Sequence, residues 1–355
     1  KTRMTISKKE EKEALDQQEH RGRTCTVEDG AGGKIQQMKQ LIDMLNQAAK
    51  AYYQESRELM TNYEYDRLYG ELEKLEAETG ITLSASPTVR VGYEVLSDLP
   101  KEAHPQKMLS LDKTKDVEQL QNWLADQEGV ISWKLDGLTI VLTYEGGNLT
   151  KAVTRGNGEI GEVITNNAKV FENVPLRIGF QGHLVLRGEA VISYPDFEKI
   201  NDTIADETTK YKNPRNLCSG SVRQLNNQIT AQRHVRFYAF SLVSAGNMEF
   251  ETRTQQFDWL AEQGFSVVEH YTVTAQGLQD MVERFSQKIE TNIIPSDGLV
   301  LSYNNIVYGR SLGQTAKFPR DSIAFKWKDE IKETTLTEIV WSASRTGLIN
   351  PIAVF

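Results

Sequence analysis

At 355 residues the chain has room for two or three domains, one of them with a core above about 200 residues. Hydrophobic residues make up 39% and charged residues 25%, the balance of a soluble globular protein. A net charge of −8 excludes a strong grip on DNA through charge alone, because nonspecific affinity comes from phosphate neutralisation; a local basic patch stays open. The two cysteines, Cys25 and Cys218, make no metal pattern, so a reducing, cytoplasmic compartment is expected. No apolar run reaches the roughly 18 residues of a membrane span and no signal-like segment opens the chain, so no membrane partner is expected.

Residues 1–34 are dense in charges of both signs, end in Gly30-Ala31-Gly32-Gly33, and read as a flexible or helical extension. From Ile35 the pattern turns helical: Ile35, Met38, Leu41, Ile42, Leu45, Ala48, Ala49 and Tyr52 recur at three- and four-residue steps. A second helix is predicted from a capping arrangement at Thr61-Asn62-Tyr63-Glu64, with Tyr65, Leu68, Tyr69, Leu72 and Leu75 as its stripe and Gly80 as its stop. Residues 35–88 therefore form a small helical module.

Residues 89–328 read as α+β. Strands are predicted at Val130 to Lys134, Leu138 to Tyr144, Leu149 to Thr154, Leu184 to Ile192, Val235 to Leu242, Gly298 to Tyr303 and Ser322 to Trp327. Helices are predicted at 115–126, 194–205, 253–263 and 275–289, and Gly146-Gly147-Asn148 marks a hairpin turn. The mixture favours antiparallel sheets with packed helices. Residues 329–355 open a new strand pattern, Leu336 to Trp341 and Pro351 to Phe355 around Arg345-Thr346-Gly347.

Lys134-Leu135-Asp136-Gly137 stands between two predicted strands. A lysine there can act as a covalent nucleophile if its ammonium is made to shed a proton, and Asp136 projects to the same side of an extended chain. Taken alone the string is weak and fits an ordinary strand edge. It is followed, in order, by Leu186-Arg187-Gly188-Glu189, Asp297-Gly298-Leu299-Val300 and Ala324-Phe325-Lys326-Trp327-Lys328, each setting charge beside a β-rich apolar run. This series resembles the nucleotidyltransferase superfamily of DNA ligases, RNA ligases and capping enzymes. The strings Ser86-Pro87-Thr88-Val89-Arg90-Val91-Gly92, Leu109-Ser110-Leu111-Asp112, Thr154-Arg155-Gly156-Asn157-Gly158, Asn213-Pro214-Arg215-Asn216 and Gly220-Ser221-Val222-Arg223-Gln224-Leu225 sharpen the resemblance to bacterial NAD-dependent DNA ligases.

The resemblance implies an ATP-grasp-like nucleotidyltransferase domain at 89–328, preceded by a module that grips nicotinamide mononucleotide (NMN) and followed by the start of an oligonucleotide-binding barrel. It implies NAD as cofactor, Mg2+ near Asp297 and the phosphate with no dedicated protein cage, and nicked double-stranded DNA as partner. It carries a nucleophile's role to Lys134, with Asp136 as its electrostatic partner, Lys326 on the α-phosphate, Glu189 on the AMP ribose and Asp297 near phosphate and metal. Cofactor contacts carry over to Ser110, Leu111, Ser132, Arg155 and Ser302, and NMN contacts to Tyr52, Tyr53, Asn62, Tyr65 and Asp66. Arg187, Arg215 and Arg223 are further cations that fit either phosphate contact or plain ion pairing. The implied protein is a cytoplasmic monomer of DNA replication and repair, and this stretch of it is expected to adenylate itself but to hold nicked DNA weakly.

The sequence also departs from the family pattern. Ser302 stands five residues after Asp297, where a lysine is usual, and Ser132 where a glutamate facing adenine is usual. Tyr53 replaces a histidine, Asn62 an aspartate, and Asn157 and Val163 replace acidic residues. A serine cannot supply a cation to the leaving group, so weakened activity is expected unless Lys317, Arg320 or Lys328 compensates. Two other functions stay open on this ground: a nucleotide-binding or DNA-scaffolding relic, and an ATP-using nucleotidyltransferase. An ATP enzyme would have no use for the NMN module.

Overall fold

The computed structural model describes residues 31–55, 59–89, 98–206, 209–327, 333–343 and 349–355, apart from the side chains of residues 31, 50–55, 62, 63, 66 and 343. Residues 1–30, Arg90-Val91-Gly92, Lys328 and Arg345-Thr346-Gly347 lie outside the described residues. The first helix runs Ala31–Glu55, starting before the predicted Ile35, and the second runs Asn62–Thr79. Thr61 caps the second helix by accepting from the Glu64 N–H at 3.2 Å, and Gly80 ends it at φ 68°, a left-handed turn that costs glycine little. The predicted apolar stripes face each other: Met38, Leu45 and Leu72 are fully buried in one shared core. Ile81 and Leu83 belong to that same core, while Thr82–Leu83 pairs with Pro175–Arg177, so the module is tied to the larger domain through the chain that leaves it.

The larger domain has two sheets. A six-stranded antiparallel sheet orders Thr82–Leu83, Pro175–Arg177, Asn148–Thr154, Leu138–Glu145, Leu184–Val191 and Arg236–Ala245. A five-stranded sheet orders His270–Val273, Gly129–Leu135, Ser296–Tyr303, Ser322–Phe325 and Asp112–Thr114. Only the last pairing is parallel. Each sheet packs helices over its own core. Tyr144 sits fully buried in the first, its hydroxyl donating to the Pro175 carbonyl at 2.6 Å. In the second, Trp133 meets Phe285 edge to face, with ring centroids 4.7 Å apart. The sequence-predicted α+β class and antiparallel sheets are what forms.

The predicted helices shorten to Val117–Leu124, Tyr194–Asp202 and Arg253–Glu262, and the 275–289 segment becomes a helix at Leu278–Lys288 flanked by two 3-10 turns. Asn213-Pro214-Arg215-Asn216, read only as a motif, starts a helix at Pro214–Ser221: Asn213 accepts from the Asn216 N–H at 2.8 Å, and proline suits the first helical turn. Glu338–Ala343 and Ile349–Val354 pair antiparallel, with Ile339, Trp341 and Ile349 exposed.

Candidate active site at the seam of the two sheets

Lys134-Leu135-Asp136-Gly137 is where the chain leaves the five-stranded sheet and enters the six-stranded one. The Asp136 N–H donates to the Pro295 carbonyl at 2.8 Å, fixing the crossing. Gly137 passes so close to the next strand that a Cβ there would lie 2.0 Å from the Ala190 carbonyl oxygen, which leaves glycine as the residue that fits. The nucleophile-type lysine is thus placed at a seam, with a wall of each sheet facing it.

Between the walls lies a cavity of about 870 Å³, a size suited to a nucleotide ligand. On the five-stranded side, cross-strand register aligns three rows on one face: Lys134 opposite Gly298, Ser132 opposite Val300, and Val130 opposite Ser302. The next strand continues them, with Ala324 opposite Val300 and Ser322 opposite Ser302. Alternation along Ser322–Phe325 then carries the same face on to Lys326.

At one end of these rows, Asp297 bridges two lysines. Lys134 Nζ donates to one carboxylate oxygen at 2.7 Å and Lys326 Nζ to the other. Side-chain exposures of 27% for Lys134 and 28% for Lys326 leave both reachable from the cavity. Burial pushes the Asp297 carboxyl up, but the two lysines outweigh it and hold its pKa below the usual range. At the other end the rows are neutral. Ser302 and Ser322 share a hydrogen bond at 2.8 Å, and Ser132, in the row between the two ends, is buried.

Glu189 stands on the six-stranded wall, directly across from Thr139, whose hydroxyl donates to it at 2.8 Å. Burial raises its pKa to about 7; the Thr139 hydroxyl, Lys134, Arg215 and the Gly137 N–H act the other way. Two residues back, Arg187 also faces the cavity, and its Nε is buried with no hydrogen-bond partner. Burial and the nearby Arg155 both disfavour its charge. Arg155 donates to Ser110 Oγ at 3.0 Å and to the Met108 carbonyl at 3.3 Å, which draws Ser110 and Leu111 into the lining.

The cavity therefore brings together Lys134, Glu189, Lys326, Ser110, Leu111, Ser132, Arg155 and Ser302, with Asp297 behind the two lysines. Asp136 turns aside to Arg215, at 2.7 Å, and that arginine lines the cavity. Arg223 does not: it pairs with Glu162 and donates to Ser219. Tyr65 lies against Tyr69, ring centroids 6.4 Å apart, on the helical module. The side chains of Tyr52, Tyr53, Asn62 and Asp66 lie outside the described residues. Lys317 and Arg320 are exposed and do not line the cavity.

Of the lining residues that the sequence does not single out, four show why. Thr139 was legible as part of an alternating strand, but its partner was not. Phe240 sits where the register slips between Ala239 and Ser241, and such a bulge re-aims side chains that plain alternation would misplace. Ser322 opens a strand whose pairing is invisible in sequence. Lys113 lies in a three-residue strand too short to carry a periodic signal.

A family profile described as "NAD-dependent DNA ligase adenylation domain" matches residues 96–330, and one described as "DNA ligase-like, N-terminal NAD+-binding domain" matches residues 33–92. A DNA ligase of Lachnoclostridium phytofermentans is 64% identical over 324 residues, covering 91% of this chain and 50% of that protein. A DNA ligase of Ruminiclostridium cellulolyticum is 64% identical over 323 residues, covering 91% and 49%. The chain thus spans about half the length of the curated relatives it matches. A solved mycobacterial DNA ligase D complexed with ATP and MES aligns over 70% of this chain and 67% of that one, at 13% identity and a TM-score of 0.35. With the two profiles matching residues 33–92 and 96–330, and relatives 64% identical over 91% of its length, the chain belongs to the NAD-dependent DNA ligase family, of which it carries the N-terminal NAD+-binding and adenylation domains.

Proposed function

We propose that this chain performs the adenylation step of NAD-dependent DNA ligation. The neutral Nζ of Lys134 attacks the α-phosphorus of NAD. An N–P bond forms, the bond from that phosphorus to the bridging oxygen breaks, its electron pair leaves on the NMN phosphate, and the amine proton passes to solvent. In the longer protein, AMP then moves to the 5′ phosphate of a DNA nick, and sealing releases AMP. The observation that carries this reading is the pair Lys134 and Lys326 on the two oxygens of one carboxylate, at the floor of a nucleotide-sized cavity.

The neighbours support the division of labour. Lys326 places a cation beside Lys134, suited to the α-phosphate charge. Ionised Glu189 is an acceptor for a ribose hydroxyl, so nucleotide binding strengthens as pH rises through about 7. Arg187 and Arg155 offer cations from the opposite wall. Among the described residues no three His, Cys, Asp or Glu side chains converge, and both Asp297 oxygens are engaged by lysines. The residues present do not form a metal cage, so any Mg2+ arrives with the phosphates and no step is assigned to it.

We assign residues 35–88 to the NMN half of the cofactor, through Tyr52, Tyr53, Asn62, Tyr65 and Asp66. Residues 89–328 hold the adenylation chemistry, 1–34 an extension, and 329–355 the opening strands of a DNA-binding barrel. The chain works as a cytoplasmic monomer in DNA replication and repair, and by itself binds nicked DNA weakly. No helix among the described residues is long and apolar enough to cross a membrane. Intact-mass measurement after incubation with NAD or with ATP tests the cofactor. Gain of one AMP from NAD and none from ATP is expected; gain from ATP alone would refute it.

A further inference from the structure

We propose that Lys113 supplies the cation that Ser302 does not, neutralising phosphate charge during transfer of AMP to Lys134. The inference rests on the adenylation reading above. It starts from a charge inventory of the cavity. Most of its cations already have a carboxylate: Lys107 has Glu159, Lys134 and Lys326 have Asp297, Arg215 has Asp136, and Arg253 has Asp321. Arg155 donates instead to Ser110 and Met108. Arg187 stands on the opposite, six-stranded wall, where burial and Arg155 disfavour its charge. Lys113 is the remaining lining lysine, exposed, with no ion pair among the described residues.

Its place is set by register. The Asp112–Thr114 strand runs parallel to Ser322–Phe325, with Lys113 across from Ala324. The Lys326 N–H donates to the Thr114 carbonyl at 2.9 Å, which extends this alignment to the end of the strand. Ala324 lies on the cavity face midway between Ser322, the hydrogen-bond partner of Ser302, and Lys326. Lys113 therefore rises from the same face, one strand away from Ser322 and Lys326 and two strands away from Ser302. A lysine carries its charge on a flexible four-carbon stem, so a solvated ammonium here swings onto bound phosphate without breaking an existing pair. Lys115, Lys317 and Arg320 do not line the cavity.

In the transfer, the bond between the α-phosphorus and the bridging oxygen breaks as the Lys134 N–P bond forms. The departing electron pair leaves negative charge on the NMN phosphate, and the Lys113 ammonium offsets it while remaining protonated. Such a group acts on the rate more than on ground-state binding.

The test is single-turnover AMP transfer from NAD to the chain, read by intact mass, in the parent, Lys113→Ala, Lys113→Arg and Lys113→Ala/Ser302→Lys. Loss of about 10²-fold in rate is expected for Lys113→Ala, with half-saturating NAD changed less than about threefold. Lys113→Arg is expected to retain most of the rate. Ser302→Lys is expected to recover at least about tenfold in the Lys113→Ala background, and to give a smaller gain in the parent. A Lys113→Ala rate within about threefold of the parent overturns the inference and leaves the adenylation reading intact. So does a loss that neither arginine nor Ser302→Lys restores, since a structural role would behave that way. Failure of the parent itself to take AMP from NAD overturns both. An unchanged melting temperature is expected for Lys113→Ala, because the side chain is exposed.

Discussion

The two ends of one wall differ sharply. Where Gly129–Leu135, Ser296–Tyr303 and Ser322–Phe325 run side by side, one end carries Lys134, Asp297 and Lys326, and the other carries Val130, Ser302 and Ser322. The charged end holds the residues to which the resemblance assigns the chemistry; the neutral end holds Ser302, where the resemblance leads to the expectation of a lysine. Bond making needs a nucleophile and a charge neutraliser at fixed positions, and these cannot drift without loss of chemistry. A cation with less directional work can come from another strand, here two strands from Ser302, because a flexible lysine stem carries its charge over the intervening strand toward bound phosphate. The contrast therefore separates residues whose place is fixed by the reacting atoms from residues whose charge is what counts.

The largest expected effect breaks the charged end. Lys134→Ala removes the atom proposed to bond to phosphorus, and loss of the AMP adduct below detection is expected by intact mass. Lys326→Ala leaves the nucleophile but removes its neighbouring cation, and about 10²- to 10³-fold loss in single-turnover rate is expected. An adduct formed by Lys134→Ala would show that the lysine pair is structural.

Removing residues 1–88 sharpens the comparison from outside the cavity. The deletion is expected to eliminate reaction with NAD while sparing transfer from preformed lysyl-AMP, because the helical module is assigned only to the leaving half of the cofactor. Equal NAD use by the deletion chain would assign the module to structure alone. Circular dichroism of the deleted chain is needed beside it, since Thr82–Leu83 is an edge strand of the six-stranded sheet.

Glu189 offers a smaller effect, in stability rather than rate. Its pKa is about 7 folded against an ordinary 4.5, so between these values the folded chain holds a proton that the unfolded chain has lost. Stability therefore falls as pH rises through that window, and above it the cost of the buried charge is on the order of 3 kcal/mol. Glu189→Gln is expected to raise the unfolding free energy by up to that amount near about pH 8 and by almost nothing near about pH 4, while nucleotide affinity drops. A pH-independent change in denaturant midpoint would contradict it. Ser302→Ala is expected to have the smallest effect, about 1 kcal/mol or less, from loss of one hydrogen bond with Ser322, measured by urea unfolding.

Much of this was legible in the sequence, for physical reasons. Alternation over Leu138 to Tyr144 and three- and four-residue spacing over Ile35 to Ala48 are direct readouts of a buried face. Lys134 and Glu189 lie on strands long enough to show that alternation, whereas the predicted Ser322 to Trp327 strand ends at Phe325 and leaves Lys326 just past it. What escaped depends on pairing. Lys113 sits in a strand of three residues whose direction is set only by its parallel neighbour. Phe240 is turned by a bulge. Arg187 looked like half of an ion pair with its neighbour Glu189, yet the two make none, and its Nε is left buried and unpartnered. The Asn213 cap was hidden because Asn-Pro reads equally as a turn.

The most direct measurement is peptide mapping of the chain after reaction with NAD. The expected result is one AMP, bonded through phosphorus to Lys134 Nζ, with NMN released in equal amount. AMP on Lys326, Lys113 or any other residue, or no adduct at millimolar NAD, would contradict the assignment of the charged end of the cavity as the place where the bond is made.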